Sequence, residues 1–283
     1  MERNRIKLIA LDLDGTLLTT DKALTAENEA ALRRAAEAGI EIVPATGRFY
    51  GAIPENVRSL PYLHYAITVN GAEIYDIRNQ QSLFQSVIPW QRAVEVLEYL
   101  DSLPVIYDCY MDGWGWMSQA HYARSADFAP TKHSLEMLQK LRTPVPELKA
   151  HLAAVGHGVQ KLMMFFQDME LRARAMEELA LRFPDLAVTS SIPRNVELNS
   201  MDARKGVALT RLAEYLGAAR TETMAFGDDL NDVSMLEAAG IGVAMANAGP
   251  EARAAADFVT GSCDESGVAR ALDRLIFGEE DKA

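Results

Sequence analysis

The stretch Leu11-Asp12-Leu13-Asp14-Gly15-Thr16-Leu17-Leu18 decides how the rest of this 283-residue chain is read. It follows Ile6-Lys7-Leu8-Ile9-Ala10-Leu11, an apolar run with the texture of a buried strand. Two carboxylates at the C-terminal end of a strand stand where open α/β sheets bind ligands. Residues i and i+2 of a strand share a face, so Asp12 and Asp14 crowd each other unless the backbone turns or a cation holds them. Gly15 supplies a turn. Taken alone, the stretch reads equally well as a solvated acidic loop, and the rest of the chain has to choose.

Working outward, Thr25 can cap a helix over 26–38, which Gly39 ends in the usual position after a helix. Ile40-Glu41-Ile42-Val43-Pro44-Ala45 reads as a second strand with Thr46-Gly47-Arg48 at its end, completing one βαβ step. Tyr65-Ala66-Ile67-Thr68-Val69 is a third strand, closed by the turn Asn70-Gly71-Ala72. The texture then changes. Segments 73–76 and 82–86 flank Arg78-Asn79-Gln80-Gln81 as an antiparallel hairpin, and beyond it helical stretches (90–100, 135–141, 170–182) alternate with strand-like ones (105–111, 160–167, 186–189). The aromatic-rich Trp114-Gly115-Trp116 reads as a loop. This pattern predicts an inserted α+β module over 85–192.

Open-sheet texture returns with Asn195-Val196-Glu197-Leu198-Asn199, a helix from Lys205 to Leu216, and the strand Thr223-Met224-Ala225-Phe226. That strand ends in a second acidic cluster, Gly227-Asp228-Asp229-Leu230-Asn231-Asp232. Short strands at 241–245 and 257–259 follow, and a charged tail begins at Glu279. The expected architecture is α/β: a doubly wound, Rossmann-like parallel sheet core from 1–84 and 193–283, interrupted by the α+β insertion.

Composition narrows the function classes. A net charge of −12 argues against nucleic acid, which is held by lysines and arginines on phosphates. No apolar run reaches the length of a membrane span, and the first residues lack a signal-peptide pattern, so the expected compartment is the cytoplasm. Cys109 and Cys263 are the only cysteines and have no metal-type spacing. An acidic protein that handles an anionic phosphate must build local positive potential from a metal, a lysine and backbone N–H groups.

Asp12 with Asp14, Thr46, Lys205, and Asp228 with Asp232 all fall at strand ends or a helix start, and in a doubly wound sheet those ends converge on one crevice. Several carboxylates in one pocket need a cation, and hard oxygen ligands suit Mg²⁺. A hydroxyl and a lysine beside that metal meet the needs of a phosphoryl group in transfer. Of two aspartates two residues apart, one can attack phosphorus while the other moves protons.

In these motifs, taken in order, the chain resembles the haloacid dehalogenase superfamily, and within it the Cof-type capped phosphatases. The matching segments are Asp12-Leu13-Asp14-Gly15-Thr16-Leu17, Ala45-Thr46-Gly47-Arg48, Asn70-Gly71-Ala72, Lys205-Gly206 and Gly227-Asp228-Asp229-Leu230-Asn231-Asp232. The resemblance implies that Asp12 is the nucleophile, Asp14 the acid/base, Thr46 a phosphate donor and Lys205 the neutralising cation. It implies a Mg²⁺ site from Asp12, the backbone carbonyl of Asp14 and Asp228, with Asp232 in support. Gly47, Arg48, Asn70 and Asn231 would face phosphate or substrate, and the insertion would be a cap that sets specificity.

The implied activity is hydrolysis of a small soluble phosphomonoester (a sugar phosphate, nucleotide or phosphorylated cofactor) by a monomer or weak homodimer. A phosphomutase of the same architecture is the nearest alternative. A receiver-like phosphoacceptor domain is a second alternative, although receivers lack the acid two residues after the nucleophile. Asp229 is read as a cap for the helix that follows it, and Trp114 and Trp116 as core or interface aromatics.

Overall fold

The computed structural model describes residues 6–190, 192 and 194–278; the N-terminal Met1–Arg5 and the charged tail from Glu279 lie outside them. In chain order the strands are β1 (Leu8–Leu11), β2 (Glu41–Pro44), β3 (Tyr65–Thr68), β4 (Glu73–Asp76), β5 (Gln81–Gln85), β6 (Ile106–Met111), β7 (Trp114–Ser118), β8 (Arg142–Val145), β9 (Lys161–Phe165), β10 (Leu186–Thr189), β11 (Asn195–Ser200), β12 (Thr223–Gly227), β13 (Ile241–Ala244) and β14 (Phe258–Val259). The chain divides into two compact units, Met1–Phe84 with Arg204–Ala283, and Gln85–Ala203.

The first unit is built on a five-stranded parallel sheet ordered β14-β13-β12-β1-β2. All four residues of β1 are buried, and its two faces enter different cores. Ile9 and Leu11 pack with Leu32 and Ala35 of the helix Ala26–Glu37, whereas Leu8 and Ala10 pack with Leu209 and Leu212 of the helix Lys205–Tyr215. A strand covered by helices on both sides has to be apolar at every position, and this is why β1 reads as an unbroken hydrophobic run. Thr25 caps its helix by accepting from the Asn28 N–H, and Gly39 follows that helix at a φ of 84°. Strand β3 touches the parallel sheet through one isolated bridge, Ala45 to Ile67, and the segment before it through another, Ile42 to Leu63, but its full ladder is antiparallel, in the sheet β3-β4-β5.

The second unit holds a six-stranded sheet, β10-β11-β9-β6-β7-β8, antiparallel except for the β7–β8 pair. One face carries Tyr107, Cys109, Leu162, Met164, Val196 and Leu198, packed with the helices Trp90–Leu100, Leu148–Val155 and Met169–Arg182. Strand alternation sends Asp108, Lys161 and Glu197 to the other face.

Two expectations are corrected here. The segment 195–199 is a strand, but it pairs antiparallel with β9 and β10 in the second unit, so that unit extends to Ala203 and not to 192. Its alternating pattern is the same whichever sheet it joins, and the partner decides. Trp114-Gly115-Trp116 is strand β7 and not a loop. Gly115 is required there by packing, since a Cβ would lie 2.4 Å from the Leu141 carbonyl oxygen.

Candidate active site

The ends of β1 and β12 are hydrogen-bonded neighbours, with the Asp12 N–H donating to the Phe226 carbonyl at 3.0 Å. The sheet therefore sets Asp12 beside Asp228. Gly15 turns the chain back with a φ of 93°, and a Cβ on it would lie 2.4 Å from Asp228 Oδ2, so glycine is needed for both conformation and space. Thr16, fully buried, donates its hydroxyl to Asp228 Oδ1 at 2.7 Å. Asn247 donates to the Gly15 carbonyl at 2.8 Å and accepts from the Cys263 N–H at 2.9 Å, which ties this loop to the end of β13.

Lys205 enters from the start of its helix, with no exposed surface, and its Nζ donates to Asp12 Oδ1 and Asp232 Oδ1, each at 2.6 Å. Asp232 is held from the other side, because its Oδ2 accepts the N–H groups of Asp228 and Asp229 at 2.9 and 3.1 Å. Asp229 caps the short turn that follows, its Oδ1 accepting from the Leu230 N–H at 2.7 Å.

The electrostatics follow from crowding. Burial pushes Asp12 well above the usual carboxylate range, against the pull of Lys205 and with the Asp232 and Asp228 charges adding to it. Burial likewise pushes Asp228 up to about 6, opposed by the Thr16 hydrogen bond and reinforced by Asp232 and Asp229. Burial alone would drive the proton off Lys205, yet Asp12 and Asp232 hold it charged above its ordinary value.

Oxygens of Asp12, Asp228 and Asp232 come within 4.8 Å of one another. Three clustered acids, Asp12 and Asp232 buried and Asp228 half-buried, beside one lysine leave a deficit of positive charge, and an all-oxygen donor set is what a hard divalent cation takes. Within the set, Asp232 has both oxygens engaged by Lys205 and backbone N–H groups, whereas Lys205 takes only one oxygen of Asp12. The donor set therefore fits Mg²⁺ held by Asp12 and Asp228, with Asp232 fixing the lysine and the loop.

Asp14 behaves differently. Arg48 grips its carboxylate through two bonds, Nε to Oδ2 at 2.8 Å and Nη2 to Oδ1 at 2.9 Å, and Lys22 Nζ lies 3.0 Å from Oδ1. Partial burial raises the group, but these two cations outweigh it and hold Asp14 down to about 2. The Asp14 side chain stands outside the three-acid cluster.

On the β2 side, the buried Thr46 accepts the Arg48 N–H on its hydroxyl at 3.2 Å. Asn70 sits at a φ of 59° and accepts from Asn231 Nδ2 at 3.1 Å. Gly47 makes room for it, since a Cβ there would lie 2.8 Å from Asn70 Oδ1. The structure thus groups Asp12, Lys205, Asp228 and Asp232 directly, links Asp14 with Arg48, and links Gly47, Asn70 and Asn231. Sequence reasoning missed Lys22, Thr16 as an Asp228 partner, and Asn247. Thr16 lay inside the opening motif, but Lys22 and Asn247 carried no local signal.

Comparisons with known proteins agree in one direction. A family model described as haloacid dehalogenase-like hydrolase matches residues 9–272. The chain is 32% identical over 271 residues to a 5-amino-6-(5-phospho-D-ribitylamino)uracil phosphatase of Bacillus subtilis (strain 168), covering 96% of each protein. It is 31% identical over 280 residues to a pyridoxal phosphate phosphatase of Escherichia coli (strain K12), covering 93% of this chain and 96% of that one. A solved haloacid dehalogenase-like hydrolase from B. subtilis superposes with a TM-score of 0.81 at 34% identity, over 95% of this chain and 100% of the other. Among the described residues, no helix is long and apolar enough to cross a membrane.

Proposed function

The chain belongs to the haloacid dehalogenase-like hydrolases, and from that premise we propose that it is a Mg²⁺-dependent phosphatase of small phosphorylated metabolites that works through an aspartyl-phosphate on Asp12. The observation that carries this reading is the cluster of Asp12, Asp228 and Asp232 beyond the ends of neighbouring strands, with the buried Lys205 bridging Asp12 and Asp232.

Asp12 uses its carboxylate oxygen to attack phosphorus; the new O–P bond forms as the bond from phosphorus to the leaving oxygen breaks. Lys205 keeps Asp12 oriented and offsets its charge. Asp14 gives a proton to the leaving oxygen and then takes one from the water that cleaves the Asp12–phosphorus bond. Held ionised by Arg48 and Lys22, Asp14 is ready for the second of these tasks. The first requires it to take up a proton, which both cations oppose while they stay on it. Thr46, Gly47, Asn70 and Asn231 form the phosphate side, with Arg48 available to the substrate once it leaves Asp14. Asp12, the Asp14 backbone carbonyl and Asp228 would hold Mg²⁺, which would supply charge neutralisation for the phosphoryl oxygens.

The second unit, in this reading, is the cap that selects the leaving group. The curated relatives named as phosphatases of a ribitylaminouracil phosphate and of pyridoxal phosphate support a small-metabolite substrate. We place the protein in the cytoplasm as a monomer or weak homodimer. Hydrolysis of p-nitrophenyl phosphate tests the assignment: activity with Mg²⁺ and none after chelation is expected, and undiminished activity in EDTA would overturn the metal dependence.

A further inference from the structure

Asn247 stands in the loop after β13, and its one amide reaches three other segments of the first unit. Its Oδ1 accepts the Cys263 N–H at 2.9 Å, which fixes the hand of the amide and turns Nδ2 the other way. From there Nδ2 donates to the Gly15 carbonyl at 2.8 Å and stands 3.5 Å from Asp228 Oδ2. The side chain is exposed, where water could satisfy it, yet the amide is committed to these three partners. The rest of the loop closes on the same aspartate. The Gly249 N–H donates to the Asp228 carbonyl at 2.9 Å, and the Met245 N–H to the Gly227 carbonyl at 3.1 Å.

These contacts converge on the proposed metal donors. Thr16 occupies Asp228 Oδ1, so Oδ2 is the oxygen that Asn247 faces. Gly15 follows Asp14, whose carbonyl is another proposed donor, and it turns the chain at a φ of 93°. Glycine leaves the peptides on either side of it free to turn, and the Asn247 bond removes that freedom on one side.

We propose that Asn247 is a positioning residue of the cation site, presenting two of its three donors, the Asp14 carbonyl and the Asp228 carboxylate, through one amide. The inference rests on the reading that these two groups and Asp12 hold Mg²⁺. A neighbouring contact supplies the control. Asp264 accepts the N–H and the hydroxyl of Thr20, each at 2.8 Å, and so ties the loop after β1 to the same Cys263 turn without touching a donor.

The test uses the full-length protein stripped of divalent ions, titrated calorimetrically with Mg²⁺ alone, with Tm measured before the ion is added. Asn247→Ala should raise the Kd for Mg²⁺ about 10–100-fold, the effect of removing a partner that orients a metal ligand. Asp264→Ala should lower Tm and leave the Kd unchanged. An unchanged Kd in Asn247→Ala would overturn the inference, and so would an equal rise in Asp264→Ala, because loosening of the loop would then explain both. Should Asn247→Ala fail to fold, Asn247→Ser, whose side chain ends short of the Nδ2 position, is judged by the same criteria. Absence of Mg²⁺ binding by wild type would instead overturn the metal reading, and the inference with it.

Discussion

Two polar clusters in this molecule set acids against bases to opposite effect. Beyond the ends of β1 and β12, Lys205 bridges two of three clustered aspartates, and the charge does not balance. On the β6–β11 sheet, two acids meet two bases, and it does. The difference separates a cluster that calls for a further cation from one that is complete. An unbalanced cluster is costly without a further cation, whereas a balanced one can stand buried without one.

The largest expected effect breaks the comparison at its reactive end. Asp12→Asn keeps the shape but removes the nucleophile, and kcat/KM for p-nitrophenyl phosphate should fall by about 10⁴-fold or more with the circular dichroism spectrum unchanged. Retention of activity would return Asp12 to a structural role.

Next in size, Arg142→Met strands the Asp108 carboxylate in the interior and should cost about 3–5 kcal/mol in urea denaturation. Replacing both members, Asp108→Leu with Arg142→Met, should recover most of that loss. If the double variant stays as unstable as the single one, the pair is not balanced in the sense used here.

A smaller effect separates the clusters by ligand. Mg²⁺ at 100 times its Kd should stabilise the wild type by about 2.7 kcal/mol, raising its Tm. Asp228→Asn should lose most of this shift and Thr189→Val none of it. Equal shifts in all three would place the ion elsewhere.

The smallest effect concerns pH. Burial, only partly opposed by the Tyr107 backbone, holds His121 below its ordinary value, so the folded chain refuses a proton that the unfolded chain accepts. Stability from this group is present above the unfolded value near 6.5 and is lost as pH falls from there through the folded value. Urea midpoints at pH 7 and pH 5.5 should therefore differ less in His121→Gln than in wild type.

The parallel core was legible in the sequence because its signals are local. An unbroken apolar strand, a glycine turn and two acids lie within eleven residues, and Thr25 and Gly39 mark the helix that follows. The second unit was less so. Strand β8, Arg142-Thr143-Pro144-Val145, has a proline and two polar residues and no alternation that marks it, and β7 carries a glycine where strands disfavour one. Strand β11 was visible as a strand, but the sheet it joins depends on residues thirty positions earlier.

The site divides the same way. Asp12, Lys205, Asp228 and Asp232 were named from strand ends and a helix start, since topology brings such ends together. The grip of Arg48 and Lys22 on Asp14 was not, because it depends on side-chain reach across separate loops.

The central claim is that Asp12 becomes phosphorylated during turnover. Acid-quenched protein, digested and examined by mass spectrometry during steady-state hydrolysis with Mg²⁺, should carry one added phosphoryl group on the peptide containing Asp12, assigned by fragmentation to that residue and absent from Asp12→Asn. A phosphoryl group on a different side chain of a wild-type enzyme turning over at full rate would contradict the account.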